Sequence, residues 1–171
     1  MKNIFFILAF IASTFAAQAQ VQVQGTIQKI DADDVPAAVL TSQASNFPGV
    51  NVNVWEHQDA KGANNSAERY IANFQNNGQK ARARYYPSGV GTTATTYYSS
   101  SQLPAAIQEA ASTNYSAYTL SSGEQIVTLS TSDVYYRLRL RKGAQKLVVY
   151  TDETGTEVSL DDLPEVMKKD K

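Results

Sequence analysis

Val35-Pro36-Ala37-Ala38-Val39 returns 68 positions later as Leu103-Pro104-Ala105-Ala106-Ile107. At the same offset Asn46-Phe47 answers Asn114-Tyr115, Val50 answers Tyr118 and Val52 answers Leu120. Self-similarity of this kind predicts one supersecondary unit built twice, with both copies in one sheet and one core. The second helix has the cleaner stripe, since Leu103, Ala106, Ile107, Ala110 and Ala111 follow i, i+3, i+4, i+7, i+8. In the first, Ser42 and Gln43 take the later positions, which predicts a helix held weakly at that end. Asp31 to Asp34 precede the first helix as expected capping residues. Their spacing lacks the loop pattern of a calcium site.

Strands follow each helix as period-two alternation. Val50, Val52 and Val54 are expected on one face, with Asn51, Asn53, Trp55 and His57 on the other. Asp59 to Ala67 reads as a hairpin loop, and Asn76-Asn77-Gly78 as a tight turn. Tyr70, Ala72 and Phe74, then Ala81, Ala83 and Tyr85, carry the apolar face onward. In the second copy Tyr136, Leu138 and Leu140 do the same, after a strand expected to break at Ser121-Ser122-Gly123. The expected fold class is α+β: two tandem helix-plus-four-strand units share a curved antiparallel sheet with the helices on one face. The expected boundaries are a signal peptide over 1–19, an arm or short strand over 20–34, and units over 35–101 and 102–171.

Lys2, the apolar run Ile4 to Phe15 and Ala17-Gln18-Ala19 have the order of a signal peptide with its cleavage site. The run falls short of the roughly 20 residues a spanning helix needs. Cleavage after Ala19 leaves a mature chain of 152 residues with formal charge −2, expected in the periplasm or outside the cell. That balance gives no reason to expect nucleic acid or an anionic membrane as partner. No cysteine is present, so disulfides, a thiol nucleophile and thiolate metal ligation are excluded. Stability has to come from an ordinary core.

These features together resemble the PepSY-like, β-lactamase-inhibitor-like family of exported bacterial proteins. The resemblance rests on the Val/Leu-Pro-Ala-Ala helix openings, the Asn-Phe/Tyr helix exits and the paired strand tyrosines Tyr70/Tyr136 and Tyr85/Tyr150. It covers about Val35 to Gly155. It implies a tandem helix-plus-four-strand fold with a concave sheet, and binding or inhibition of another envelope protein without catalysis.

Catalytic signals are sparse. His57 is the sole histidine and has no flanking serine motif, so a catalytic triad or a zinc site would have to depend on it alone. No catalytic residue, metal or cofactor is expected. The alternation instead gathers Trp55, Arg69, Arg82, Arg84, Tyr86, Tyr135, Arg137 and Arg139 on the face away from the helices. These are the residue types that dominate binding hot spots, although arginines on an open face also serve simply to solubilise it. The expected function is a non-catalytic binding protein, monomeric or weakly dimeric, whose partner is an envelope or secreted protein. The alternative is a small ligand, peptide or glycan held by Trp55 and the tyrosines, with the Thr92 to Ser101 run contributing hydroxyls.

Overall fold

The computed structural model describes residues 26–59 and 68–169. The signal peptide with its cleavage site, the start of the arm and most of the Asp59–Ala67 loop lie outside the described residues. The elements run β1 (Ile27–Ile30), α1 (Ala37–Asn46), β2 (Val52–Gln58), β3 (Arg69–Asn76), β4 (Gln79–Tyr85) and β5 (Gly91–Ser99). They continue with α2 (Ala105–Asn114), β6 (Thr119–Thr128), β7 (Val134–Lys142), β8 (Gln145–Asp152) and α3 (Glu165–Lys169).

All eight strands form a single antiparallel sheet in chain order, β1 to β8. This corrects the expected fold class. The protein is mainly β, one continuous eight-stranded sheet with three short helices, and not two tandem helix-plus-four-strand units. One strand precedes α1, four lie between α1 and α2, and three follow α2, so the echoed helix phrases do not mark equal units. The β5–β6 seam, where a boundary was expected, is paired without a break from Thr93↔Thr128 to Ser99↔Ser122. Hydrogen-bond pairing continues across it as across any other pair of neighbouring strands, and the echo is confined to short segments.

Two apolar clusters lie on the face covered by α1 and α2. Under α1, Val35, Val39, Trp55, Ala72, Phe74, Ala83 and Tyr85 are buried together. Under α2, Leu103, Ile107, Ala111, Tyr136, Leu138, Leu140 and Val149 form the second cluster. The first helix is not weakly held at its far end. Gln43 is buried there, and its Oε1 accepts a 2.8 Å hydrogen bond from the Tyr85 hydroxyl. The acidic run also departs from its expected role: Ala32–Asp34 form a 3-10 turn, and α1 starts behind Pro36 with no side-chain cap.

Three register shifts interrupt the sheet, in the β2–β3, β4–β5 and β6–β7 pairs, and the first and last bear on the sequence reading. In β2, Val52 pairs with Phe74 but Val54 pairs with Asn73, so an extra residue sits between them. A bulge reverses the alternation beyond it. Val54 therefore leaves the helix-covered face and Trp55, opposite Ala72, joins it. In β6 the Ser121-Ser122-Gly123 stretch does not break the strand; it carries a shift between Leu120 and Ser122. Gly123 makes room there: a Cβ would lie 2.8 Å from a Leu103 methyl, so that side chain would have to shift.

Gly89 pins the β4–β5 turn to α1. Its φ is +85°, and a Cβ would lie 2.6 Å from the Ala38 carbonyl oxygen. Gly89→Ala is expected to lose about 3 kcal/mol, from left-handed strain plus a backbone clash. Urea unfolding of the variant measures it, and a loss below ~0.5 kcal/mol would contradict this packing.

A second prediction concerns alkali. Burial pushes the Tyr85 phenol up to about 12. Burial and the neighbouring Glu157 carboxylate do the same for Tyr115. Both are raised above the unfolded value of about 10, so this stability is complete below pH ~10 and is lost as pH rises toward ~12. Tyr85→Phe is expected to cost about 1 kcal/mol at neutral pH, through Gln43's lost donor, and to flatten the alkaline decline. Stability curves from pH 7 to about 12 check both signs.

Candidate functional site

The opposite face of the sheet is polar and crowded. Strand pairing sets Arg82 beside Thr95 on β5, Thr95 beside Ile126 on β6, and Ile126 beside Tyr135 on β7. One step along, Tyr97, Glu124, Arg137 and Tyr150 form the next row across β5 to β8. Arg82, Arg84, Glu124, Arg137, Tyr150 and Met167 are among the residues that line a partly open cavity of about 20 Å³. That is room for a single water.

Glu124 organises this cluster. It is 1% exposed, and its carboxylate accepts from Arg137 Nη2 while lying 2.6 Å from Arg139 Nη2. Burial alone would lower the Arg137 guanidinium, but Glu124, with help from Tyr150, outweighs it and holds the group above its usual value. Arg84 is buried and donates to Thr93 Oγ1 at 3.3 Å. Arg82 sits 5.6 Å from the centre of the Tyr97 ring. Burial pushes the Tyr97 phenol up while Arg82 pulls it down, and burial wins. Among the described residues, Arg82 and Arg137 each keep a buried Nε–H with no acceptor.

The eight residues expected on this face therefore divide. Arg82, Arg84 and Arg137 share the cavity, and Arg139 joins them through Glu124. Arg69 and Tyr86 form a separate stack, with the guanidinium 3.7 Å from the ring centre. Tyr135 is half-buried against a small apolar cluster of Ile126, Tyr150, Leu163 and Met167. Trp55 is corrected: it is 6% exposed in the α1 core, because the β2 bulge reversed its direction. Sequence reasoning missed Glu124 and Met167. The signal for Glu124 was its pairing position, opposite the alternating Arg137 and Arg139 of the next strand.

His57 lies away from this cluster, at the end of β2. Its Nε2 is 2.8 Å from Glu68 Oε1, its Nδ1 is 3.4 Å from Asp59 Oδ1, and its ring stacks on Tyr70 at 4.8 Å. Both nitrogens thus have acidic neighbours. Among the described residues no group of three or more His, Cys, Asp or Glu is placed to hold a metal. Nor is any described helix long and apolar enough to cross a membrane.

Solved structures share this fold. A DUF2874 family protein from Bacteroides ovatus superposes with a TM-score of 0.60 at 16% identity, over 72% of this chain and 84% of that one. A protein from Bacteroides eggerthii described as periplasmic gives 0.57 at 16% identity, over 73% and 86%. A BLIP-like protein, that is β-lactamase-inhibitor-like, from Bacteroides fragilis gives 0.57 at 16% identity, over 71% and 82%. No family model matches the sequence, and no curated protein does.

Removing the Glu124 carboxylate strands two guanidiniums. Such a loss costs about 3–5 kcal/mol when the partner charges are fully buried. Arg137 and Arg139 side chains are 22% and 46% exposed, so water can recover part of it. Glu124→Ala is expected to lose about 2 kcal/mol by urea unfolding. A loss under ~0.5 kcal/mol would mean the carboxylate does not organise the face.

Proposed function

We propose that this chain is a non-catalytic periplasmic or secreted binding protein that recognises, and through that contact inhibits, another envelope or secreted protein. The docking surface is the sheet face opposite α1 and α2. The observation that carries this reading is the concentration of Arg82, Arg84, Arg137 and Arg139 around one carboxylate, in a chain whose formal charge is −1. Guanidiniums held by packing lose little entropy when a partner arrives, which is what an interaction hot spot needs. The fold shared with a BLIP-like protein and with one described as periplasmic supports the same reading. The glycan alternative relied on Trp55 together with the tyrosines, and of these the indole is buried under α1. Tyr86 and Tyr135 remain on the face as secondary contacts.

The test avoids Arg137, because a reversed charge there would press against Glu124. Arg82→Gln with Arg139→Gln removes two cations and leaves the Arg137–Glu124 pair. The mature protein should retain a specific polypeptide from periplasmic or culture-supernatant fractions at low salt. The folded double variant should retain at least tenfold less, with the wild-type interaction weakening as salt screens it. Equal capture by both would remove this face from consideration.

A further inference from the structure

The polar face is not fully open, because part of the segment that follows β8 lies across it. Beyond β8 the chain turns at Gly155, where an added Cβ would lie 2.5 Å from Ala110 on α2. It pairs Glu157 with Thr151, and the Val158 amide donates to the Tyr150 carbonyl at 2.8 Å. From there it passes round the β8 edge of the sheet. Leu163 and Met167 then pack on Ile126 and Tyr150, on the face opposite α2. Met167 forms one wall of the cavity that Arg82, Arg84, Glu124 and Arg137 line.

We propose that α3 is a displaceable strap over an acceptor site for an acidic peptide segment of the partner, and that lifting it is the step that opens the site. This rests on the docking role proposed for the face. The partner chemistry follows from charge: the cavity wall carries three guanidiniums and one carboxylate. Buried polar atoms without partners are uncommon, and among the described residues this cavity has two such donors, Arg82 and Arg137 Nε, against one such acceptor, Glu124 Oε1. A carboxylate supplies acceptors in the geometry guanidiniums favour. The need for displacement follows from size. About 20 Å³ has room for one water, and Met167 is one of the residues that bound that space.

The strap is built to move. A five-residue helix does not persist in water unless it is docked. Its docking depends on Leu163 and Met167, with Val158 and Val166 half-buried beside them. Lifting residues 159–169 breaks no pairing between named strands, and Gly155 against α2 keeps the base of the strap fixed. A closed strap lowers apparent affinity by the fraction of molecules that are open, so releasing it raises affinity without adding a contact.

The test uses hexaglutamate as probe and titration calorimetry at low salt on the mature chain. Leu163→Asn with Met167→Asn releases the strap without adding charge beside the guanidiniums. This variant should bind at least tenfold more tightly than wild type, and adding Arg82→Gln should remove most of that gain. A folded strap variant that binds no better than wild type overturns the strap. If wild type still captures its protein partner through Arg82 and Arg139, the docking face survives that failure. A gain that persists after Arg82→Gln overturns the acidic site. Amide exchange on the wild type needs no variant. The Met167 amide, bonded to the Pro164 carbonyl, should exchange at least a hundredfold faster than β6 and β7 amides and faster still with hexaglutamate. Equal protection would overturn a displaceable strap.

Discussion

A single antiparallel sheet presents two faces to water, and two ten-residue helices can cover only one of them. That constraint shapes the rest of the molecule. Val35, Val39 and Gln43 from the α1 region, with Leu103, Ile107 and Ala111 from the α2 region, bury a narrow stripe over each half of the sheet. The strands beneath respond with small residues, Ala72, Ala83 and Ala94, where α1 comes close, and with larger ones where space opens. The uncovered face cannot use the same solution. It is filled by Thr92, Thr93 and Thr95, which suit a strand and carry hydroxyls, and by arginines whose stems can shield Ile71 and Ile126.

Burying Glu124 is the costly part of that second solution. A carboxylate removed from water needs its charge answered, and two guanidiniums from the adjacent strand do so, Arg137 by a hydrogen bond to Oε2 and Arg139 by its charge 2.6 Å from Oε1. Lysine would serve poorly, because its ammonium is a strongly hydrated point charge on a flexible stem. A slip of one residue along β7 would send Arg137 and Arg139 into the apolar cluster and Leu138 outward. The apolar alternation of β7 thus sets the register, and that register brings Arg137 and Arg139 to Glu124.

The helices were legible because proline followed by an i, i+4, i+8 stripe leaves little else for those segments to form. The apolar faces of β3, β4 and β7 were legible because their alternation is uninterrupted. What failed was inference across a bulge. Nothing in Val50 to Trp55 announces that the chain gains a residue before Val54, yet that residue decides that Trp55 is core. Unit counting failed for a related reason. An echo between helices says nothing about how many strands follow each, and strand pairing closed the seam that the echo suggested. Gln43 read as a defect in a stripe because its partner, Tyr85, lies 42 positions away. The arginines could be placed on a face, but Glu124 became visible only once pairing had put it beside them.

The tail follows from the same asymmetry. Its hydrophobic residues Leu163, Val166 and Met167 need cover, and the α1/α2 face is already filled. Ile126 and Tyr150 are the apolar ground available on the far face, next to the cluster of guanidiniums. The segment that leads there, 152–165, carries carboxylates at Asp152, Glu153, Glu157, Asp161, Asp162 and Glu165 and no cationic side chain. Asp152 spends its charge locally, since the Thr154 hydroxyl and nearby backbone amides hold its carboxyl below the usual range. Glu157 is engaged by the Tyr115 hydroxyl on the α2 side. A chain of small net charge thus sets an acidic segment, 152–165, followed by Lys168 and Lys169, beside a cationic sheet face, and packing of Leu163 and Met167 rather than charge alone holds it there.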